Sequence, residues 1–137
     1  MTNAIRKVHD FVTVGAPHPL QVAAATALRF PDQYYVDLLA AYQERRDFIL
    51  EILDGAGFKA YPPDGAYYVM TDISQFAEDD VSLAHRMVRE IGLATVPGSS
   101  FYLEPERGRG QIRFSFPKKM ETLRRAADRL KRLQRVA

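Results

Sequence analysis

The amino-acid sequence predicts an α+β fold: a small, mainly antiparallel sheet of about four strands with helices packed on it, preceded by a long helix. Three observations predict it. Apolar residues recur at helical spacing across residues 33–54 and again across 120–133. Residues 66–72 (AYYVMTD) concentrate aromatic and β-branched side chains, and residues 111–116 (QIRFSF) alternate apolar with polar ones. The elements follow the order helix, helix, strand, strand, helix, strand, strand, helix, which mixes the two types with few strands.

Each element has a local cause. Residues 1–12 are helix-like but carry no start signal, as expected of a segment that continues something upstream. Residues 13–19 (TVGAPHP) read as a loop, because one glycine and two prolines in seven residues interrupt regular structure. Residues 21–30 (QVAAATALRF) predict a short Ala-rich helix that packs against something large. Pro31 restarts the chain and Asp32 is a candidate N-cap. The long helix then runs from about Gln33 to Asp54, with Tyr35, Leu38, Leu39, Tyr42, Ile49 and Leu53 near one face. Gly55 and Gly57 end it, since glycine takes the left-handed conformation without a Cβ clash. Residues 58–61 form a short strand stopped by Pro62-Pro63, and Asp64-Gly65 turns the chain into 66–72. Asp79 or Asp80 caps a helix whose stripe is Leu83, Ala84, Met87, Val88 and Ile91, closed by Gly92. Residues 93–96 read as a strand, Pro97-Gly98 as a turn and 104–110 as a polar loop. Pro117 ends the strand 111–116, and Met120, Leu123, Ala127, Leu130 and Leu133 make the stripe of the last helix.

Composition removes several classes of function. With 47% hydrophobic residues in 137, the chain can bury a core and is not disordered as a whole. It has no cysteine, which excludes a disulfide scaffold, a thiolate metal site and a cysteine nucleophile, and fits a cytoplasmic, reducing setting. The apolar runs fall short of the roughly 18 residues that span a bilayer, and the first ten residues carry no apolar signal core, so no membrane role is expected. The net charge of +2 hides an asymmetry: residues 118–137 hold eight basic and two acidic side chains, while the rest is net acidic. Such a segment can be a nucleic-acid or membrane patch, or the solvated face of an amphipathic helix. The apolar stripe and the i,i+4 pairs Glu121–Arg125 and Asp128–Arg132 favour the solvated face, so no nucleic acid is expected.

Chemistry is sparse. His9, His18 and His85 are scattered with no carboxylate at ligand spacing, and no phosphate-binding glycine loop or nucleophile elbow is present. Arg113 stands out because it sits mid-strand between Ile112 and Phe114. A guanidinium near a core is costly unless it meets an anion, and its planar fork matches a carboxylate in two parallel hydrogen bonds. It can dock a substrate carboxylate, face solvent on an edge strand, or make an internal ion pair. Taken alone, the residues also allow a non-catalytic module that binds a small carboxylate.

Five stretches in order, residues 9–28, 34–58, 62–74 (PPDGAYYVMTDIS), 96–101 (VPGSSF) and 111–116 (QIRFSF), resemble the C-terminal part of a class I/II aminotransferase, a fold-type I pyridoxal-phosphate enzyme. The resemblance implies that residues 33–137 form the family's small domain and residues 1–32 a remnant of the large-domain and dimer-interface segment. It implies that Arg113 binds the α-carboxylate of an amino acid or 2-oxo acid. Tyr67 resembles a residue lining the substrate pocket, with a core aromatic as the alternative. Thr13 and Gly15, in a loop resembling one that crosses a dimer interface, are implied near the partner subunit's cofactor phosphate. Lys7, Lys59, Lys118, Lys119 and Lys131 all lie outside the family's Schiff-base lysine motif. The complete enzyme is thus expected to be a homodimer holding pyridoxal 5'-phosphate, and this chain alone, without the large domain, to be inactive and prone to associate.

Overall fold

A computed structural model describes residues 1–133. It divides into two compact units, Met1–Leu38 and Leu39–Ala137, with the boundary inside a long helix. Arg135, part of the basic segment, and the end of the C-terminal region lie outside the described residues.

The first unit is helical. Helix α1 spans Thr2–Thr13 and helix α2 spans His18–Ala27. The second starts three residues before the expected Gln21, so the loop is shorter than 13–19. Pro19 does not break the helix because it sits in the first turn, where no intrahelical N–H donor is required. Helix α3, Asp32–Gly55, begins here as well. Asp32 lies inside its first turn rather than capping it, where a carboxylate still suits the positive end of the helix dipole. Tyr35 donates from its hydroxyl to the Ala27 carbonyl, 2.9 Å away. Neither α1 nor α2 has a buried residue, so the face of the Ala-rich helix lies open in this chain.

The second unit holds the core. The α3 stripe is buried only toward its C-terminal end, at Ile49 and Leu53, while Tyr35, Leu38 and Leu39 are exposed. Gly57 ends the helix in the left-handed conformation (φ 91°), and the Phe58 N–H donates to the Leu53 carbonyl at 2.9 Å. This six-to-one bond closes a Schellman motif and drops Phe58 into the core beside Leu53.

Strands β1 (Lys59–Tyr61), β2 (Tyr68–Asp72), β3 (Val96–Pro97) and β4 (Gln111–Ser115) form one sheet in the order β1-β2-β4-β3, every pair antiparallel. The third strand differs from expectation: it is Val96–Pro97, not residues 93–96. Proline lacks an N–H for a ladder, yet an edge position does not need one on its outer side. Helix α4 (Asp80–Arg86) is capped by Asp79, whose carboxylate accepts the Ser82 N–H at 2.7 Å, and it continues as a π-helical turn, Met87–Ile91. Gly92 closes that turn at φ 76°, and Arg129 of helix α5 (Met120–Leu130) donates to its carbonyl.

One side of the sheet and the helices share one core. Val69, Ile112 and Phe114 join Leu53, Leu83, Met87, Leu123 and Leu130, with the rings of Phe58 and Phe76 4.6 Å apart. Buried Thr71 is satisfied by donating to the Ile112 carbonyl at 3.1 Å. Along α5, Leu123, Leu130 and the following Leu133 are buried and Arg124, Arg125, Lys131 and Arg132 are exposed. Asp128 pairs with Lys131 at 2.8 Å, one turn position short of the expected Arg132, because the helix gives way to a turn at Lys131. The Glu121–Arg125 pair is not formed among the described residues. No described helix is long and apolar enough to cross a membrane.

Candidate functional site: an arginine held between aromatic rings

Strand alternation builds the site. In β4, Ile112 and Phe114 point into the core, so Arg113 must lie on the opposite face. In β2, Val69 and Thr71 point inward, so Tyr68 and Met70 share the face of Arg113. The register sets Met70 directly across from Arg113. After β3 a 3₁₀ turn, Gly98–Phe101, returns over that face and brings Phe101 and Tyr102 to it. Tyr68, Met70, Phe101, Tyr102 and Arg113 together line a shallow pocket.

The guanidinium of Arg113 lies 4.8 Å from the Phe101 ring centre and 5.2 Å from that of Tyr68. Its Nε is buried and has no hydrogen-bond partner, and no carboxylate pairs with it among the described residues. The strand is interior to the sheet. The edge-strand and internal-ion-pair alternatives therefore do not describe this arginine.

A nearby acid is otherwise engaged. Asp72 shares the face of Met70 by alternation and sits opposite Gln111. Its carboxylate accepts the Ser74 N–H at 2.8 Å, and that bond, helped by Lys59, holds its pKa below the ordinary 3.8. A carboxylate fixed onto its own backbone turn leaves Arg113 as an uncompensated cation between two π faces. Two aromatic faces attract the cation and restrict its plane without neutralising it. Its N–H groups make no ion pair among the described residues, and a carboxylate offers two oxygens at the separation a guanidinium matches.

The remaining sequence-derived residues fall elsewhere. Tyr67 is exposed and does not line the pocket; its ring meets Tyr68 edge-on, with centres 5.6 Å apart. Thr13 and Gly15 belong to the first unit. The Thr13 hydroxyl donates to the His9 carbonyl at 2.6 Å, Gly15 donates its N–H to the Thr13 carbonyl, and Val14 between them has a positive φ of 53°. Lys7, Lys59, Lys118, Lys119 and Lys131 are all exposed and none lines the pocket. No metal-binding group of histidine and acidic side chains occurs among the described residues. Reading the residues alone missed Tyr68, Met70, Phe101 and Tyr102. The first two were within reach, since β2 and β4 alternate and a register places them; the last two depend on a turn that brings distant sequence back.

The chain resembles known proteins along most of its length. The model of "Aminotransferase class I and II" matches residues 1–130. The chain is 35% identical over 130 residues to a methionine aminotransferase of Escherichia coli, covering 94% of this chain and 33% of that protein. It is 42% identical over 93 residues to an aspartate/prephenate aminotransferase of Thermus thermophilus, covering 68% and 23%. Among solved structures, N-succinyldiaminopimelate aminotransferase from Mycobacterium tuberculosis superposes with a TM-score of 0.82 at 26% identity, over 97% of this chain and 35% of that one. The chain spans about a third of the length of the curated relatives it matches. A model match along nearly its whole length, and relatives of the same family over that length, establish that this chain belongs to the class I and II aminotransferases.

Proposed function

We propose that this chain supplies the carboxylate-docking part of a pyridoxal-phosphate-dependent aminotransferase, an enzyme that moves an amino group between an amino acid and a 2-oxo acid. The observation that carries the proposal is Arg113: a half-buried guanidinium on an interior strand, sandwiched by Phe101 and Tyr68, with no carboxylate of the described residues paired to it. The N–H edge of Arg113 receives the α-carboxylate in a bidentate pair, and the two rings fix the plane of that pair. Fixing the carboxylate fixes the direction of the Cα–H bond, and a positioned bond reacts through a lower barrier. Tyr67, which does not line the pocket in this chain, braces Tyr68 edge-on and bears on the substrate through that ring.

Bound pyridoxal phosphate supplies the electron sink for such an exchange. The pocket residues do not fit its covalent anchor, because none is a lysine; the anchoring amine and the large domain lie outside this chain on our reading, and the chain alone does not transaminate. Residues 1–32 then belong with the large domain and dimer interface, in keeping with two helices that bury nothing here. Thr13 and Gly15 face the partner subunit's cofactor phosphate in the homodimer. A cytoplasmic setting fits the same reading.

The test is a titration of the 137-residue chain with pyruvate, followed by NMR at the Arg113 Nε–H and the rings of Tyr68 and Phe101. Saturable shifts are expected at all three. In Arg113→Ala the ring shifts should vanish, a loss worth about 1.5–3 kcal/mol of a charged hydrogen bond, or roughly 10- to 150-fold in affinity. Ring shifts that persist in that variant, or none in the parent chain, would exclude Arg113 as the docking group.

A further inference from the structure

Asp80 has the surroundings of a residue with a task beyond helix initiation. It is 1% exposed, a rare state for an aspartate. The capping role at the start of α4 belongs to its neighbour Asp79. The Asp80 carboxyl instead reaches across nineteen residues, where its Oδ2 accepts the Ser99 N–H at 2.7 Å, and its other oxygen is buried with no partner in the described residues. Its own N–H donates to the Arg109 carbonyl at 3.1 Å. Asp80 therefore ties α4 to the Gly98–Phe101 turn and to the loop that enters β4.

That turn is fixed on a second side. A Cβ on Gly98 would lie 2.5 Å from the Gly108 carbonyl oxygen and 2.8 Å from the Gln111 Cβ, so the backbone there is seated against the chain leading into β4. With its start held by Gly98 and Ser99, the turn projects Phe101 over the Arg113 guanidinium and leaves the Tyr102 hydroxyl 3.3 Å from Gln111 Oε1. The Arg113 Nε makes no hydrogen bond in the described structure, so the ring contacts carry its orientation.

We infer that Asp80 is a positioning residue for Arg113: through the Ser99 N–H it holds the Gly98–Phe101 turn so that Phe101 covers the guanidinium and presets its plane for a carboxylate. The inference rests on Arg113 being the docking group. Its test keeps the two claims apart by reading the arginine before any ligand is added. The full chain is compared with Asp80→Ala, Asp80→Asn and Phe101→Leu by NMR at the Arg113 side chain and at the core methyls of Val69 and Ile112.

Phe101→Leu removes the ring-current contribution and calibrates the signal. Asp80→Ala should shift the Arg113 resonances toward the Phe101→Leu values while the Val69 and Ile112 methyls stay in place. Asp80→Asn, which keeps an acceptor oxygen for Ser99, should restore the parent signal; it also keeps the test decisive if Asp80→Ala fails to fold, since Asn then has to reproduce the parent arginine environment. Pyruvate affinity should fall about two- to fivefold in Asp80→Ala, the span of an exposed cation–π contact. Unchanged Arg113 resonances in a folded Asp80→Ala, or an Asp80→Asn chain with intact core methyls and displaced Arg113 signals, would overturn the positioning role. A collapse of the Arg113 signal in Asp80→Ala supports that role even where pyruvate fails to bind the parent chain, an outcome that removes the docking reading instead.

Discussion

Helix α1 and strand β4 both carry apolar residues at the period of their element, and they meet different fates. In α1, Ile5, Val8, Phe11 and Val12 fall on one side of the helix and are each more than 60% exposed. In β4, Ile112 and Phe114 are buried, and Arg113 between them lines the pocket on the other face. A periodic pattern states which face wants to be covered; it does not supply the cover. The second unit contains its own partner surfaces, since α3, α4, α5 and the sheet close one core. In the first unit α1 and α2 bury nothing. The sheet can afford an arginine on its other face because the first face already stabilises the fold.

The two units differ most in what a lost side chain costs, and Phe58 carries the largest cost. Its ring contacts Phe76 and Phe114 with centres 4.6 and 5.1 Å away. Phe58→Ala should cost about 3–5 kcal/mol of the second unit's stability, as for other buried Phe truncations, seen as a large drop in the denaturation midpoint. Phe11→Ala is the matched control, and it should move that midpoint by less than about 0.5 kcal/mol because an exposed side chain leaves no cavity.

Next comes the seating of the pocket turn. Gly108→Ala places a Cβ against the backbone of Gly98 and Ser99, which cannot swing aside as a side-chain tip would. About 1–3 kcal/mol should be lost, in the range of overpacking, with displacement of Phe101 reported by its aromatic resonances. Gly110→Ala, where a Cβ meets nothing within 4 Å, should leave both readouts unchanged.

Much of the fold was legible because its causes are local. Gly57 stops α3, Asp79 caps α4, and the alternation of Ile112, Arg113 and Phe114 states both the strand and the odd residue on it. Where the sequence misled, a long-range cause overrode the local signal. Pro97 was expected in a turn, but pairing with Ile112 at the sheet edge makes it strand. Pro19 signalled a loop, but it sits where a helix begins. Tyr67 follows Gly65-Ala66 and is exposed, while its neighbour Tyr68 shares the arginine's side of the sheet. Phe101 could not be found from spacing at all, because it lies twelve positions before Arg113 and only the folded turn joins them.

A smaller effect concerns acid. Backbone donors hold the Asp72 and Asp79 carboxyls below 3.8, and the Lys131 side chain does the same for Asp128. A carboxyl whose folded pKa is depressed adds stability above its unfolded pKa and loses it as pH falls through the folded one. The second unit's thermal midpoint should therefore hold from neutrality down to about pH 4 and decline below it. In Asp79→Asn, which keeps a capping oxygen but cannot titrate, the decline should be shallower. An identical acid profile for the variant would show that the cap contributes nothing to it.

We propose a division of labour in which this chain provides the carboxylate end of the site through Arg113 and the covalent chemistry belongs to residues outside it. It is tested most directly by mixing the purified chain with pyridoxal phosphate, reducing with borohydride, and locating adducts by intact mass and peptide mapping. The account predicts no adduct, or substoichiometric labelling scattered over the exposed Lys7, Lys59, Lys118, Lys119 and Lys131. A single stoichiometric adduct on one of these lysines would contradict it and give the chain a cofactor site of its own.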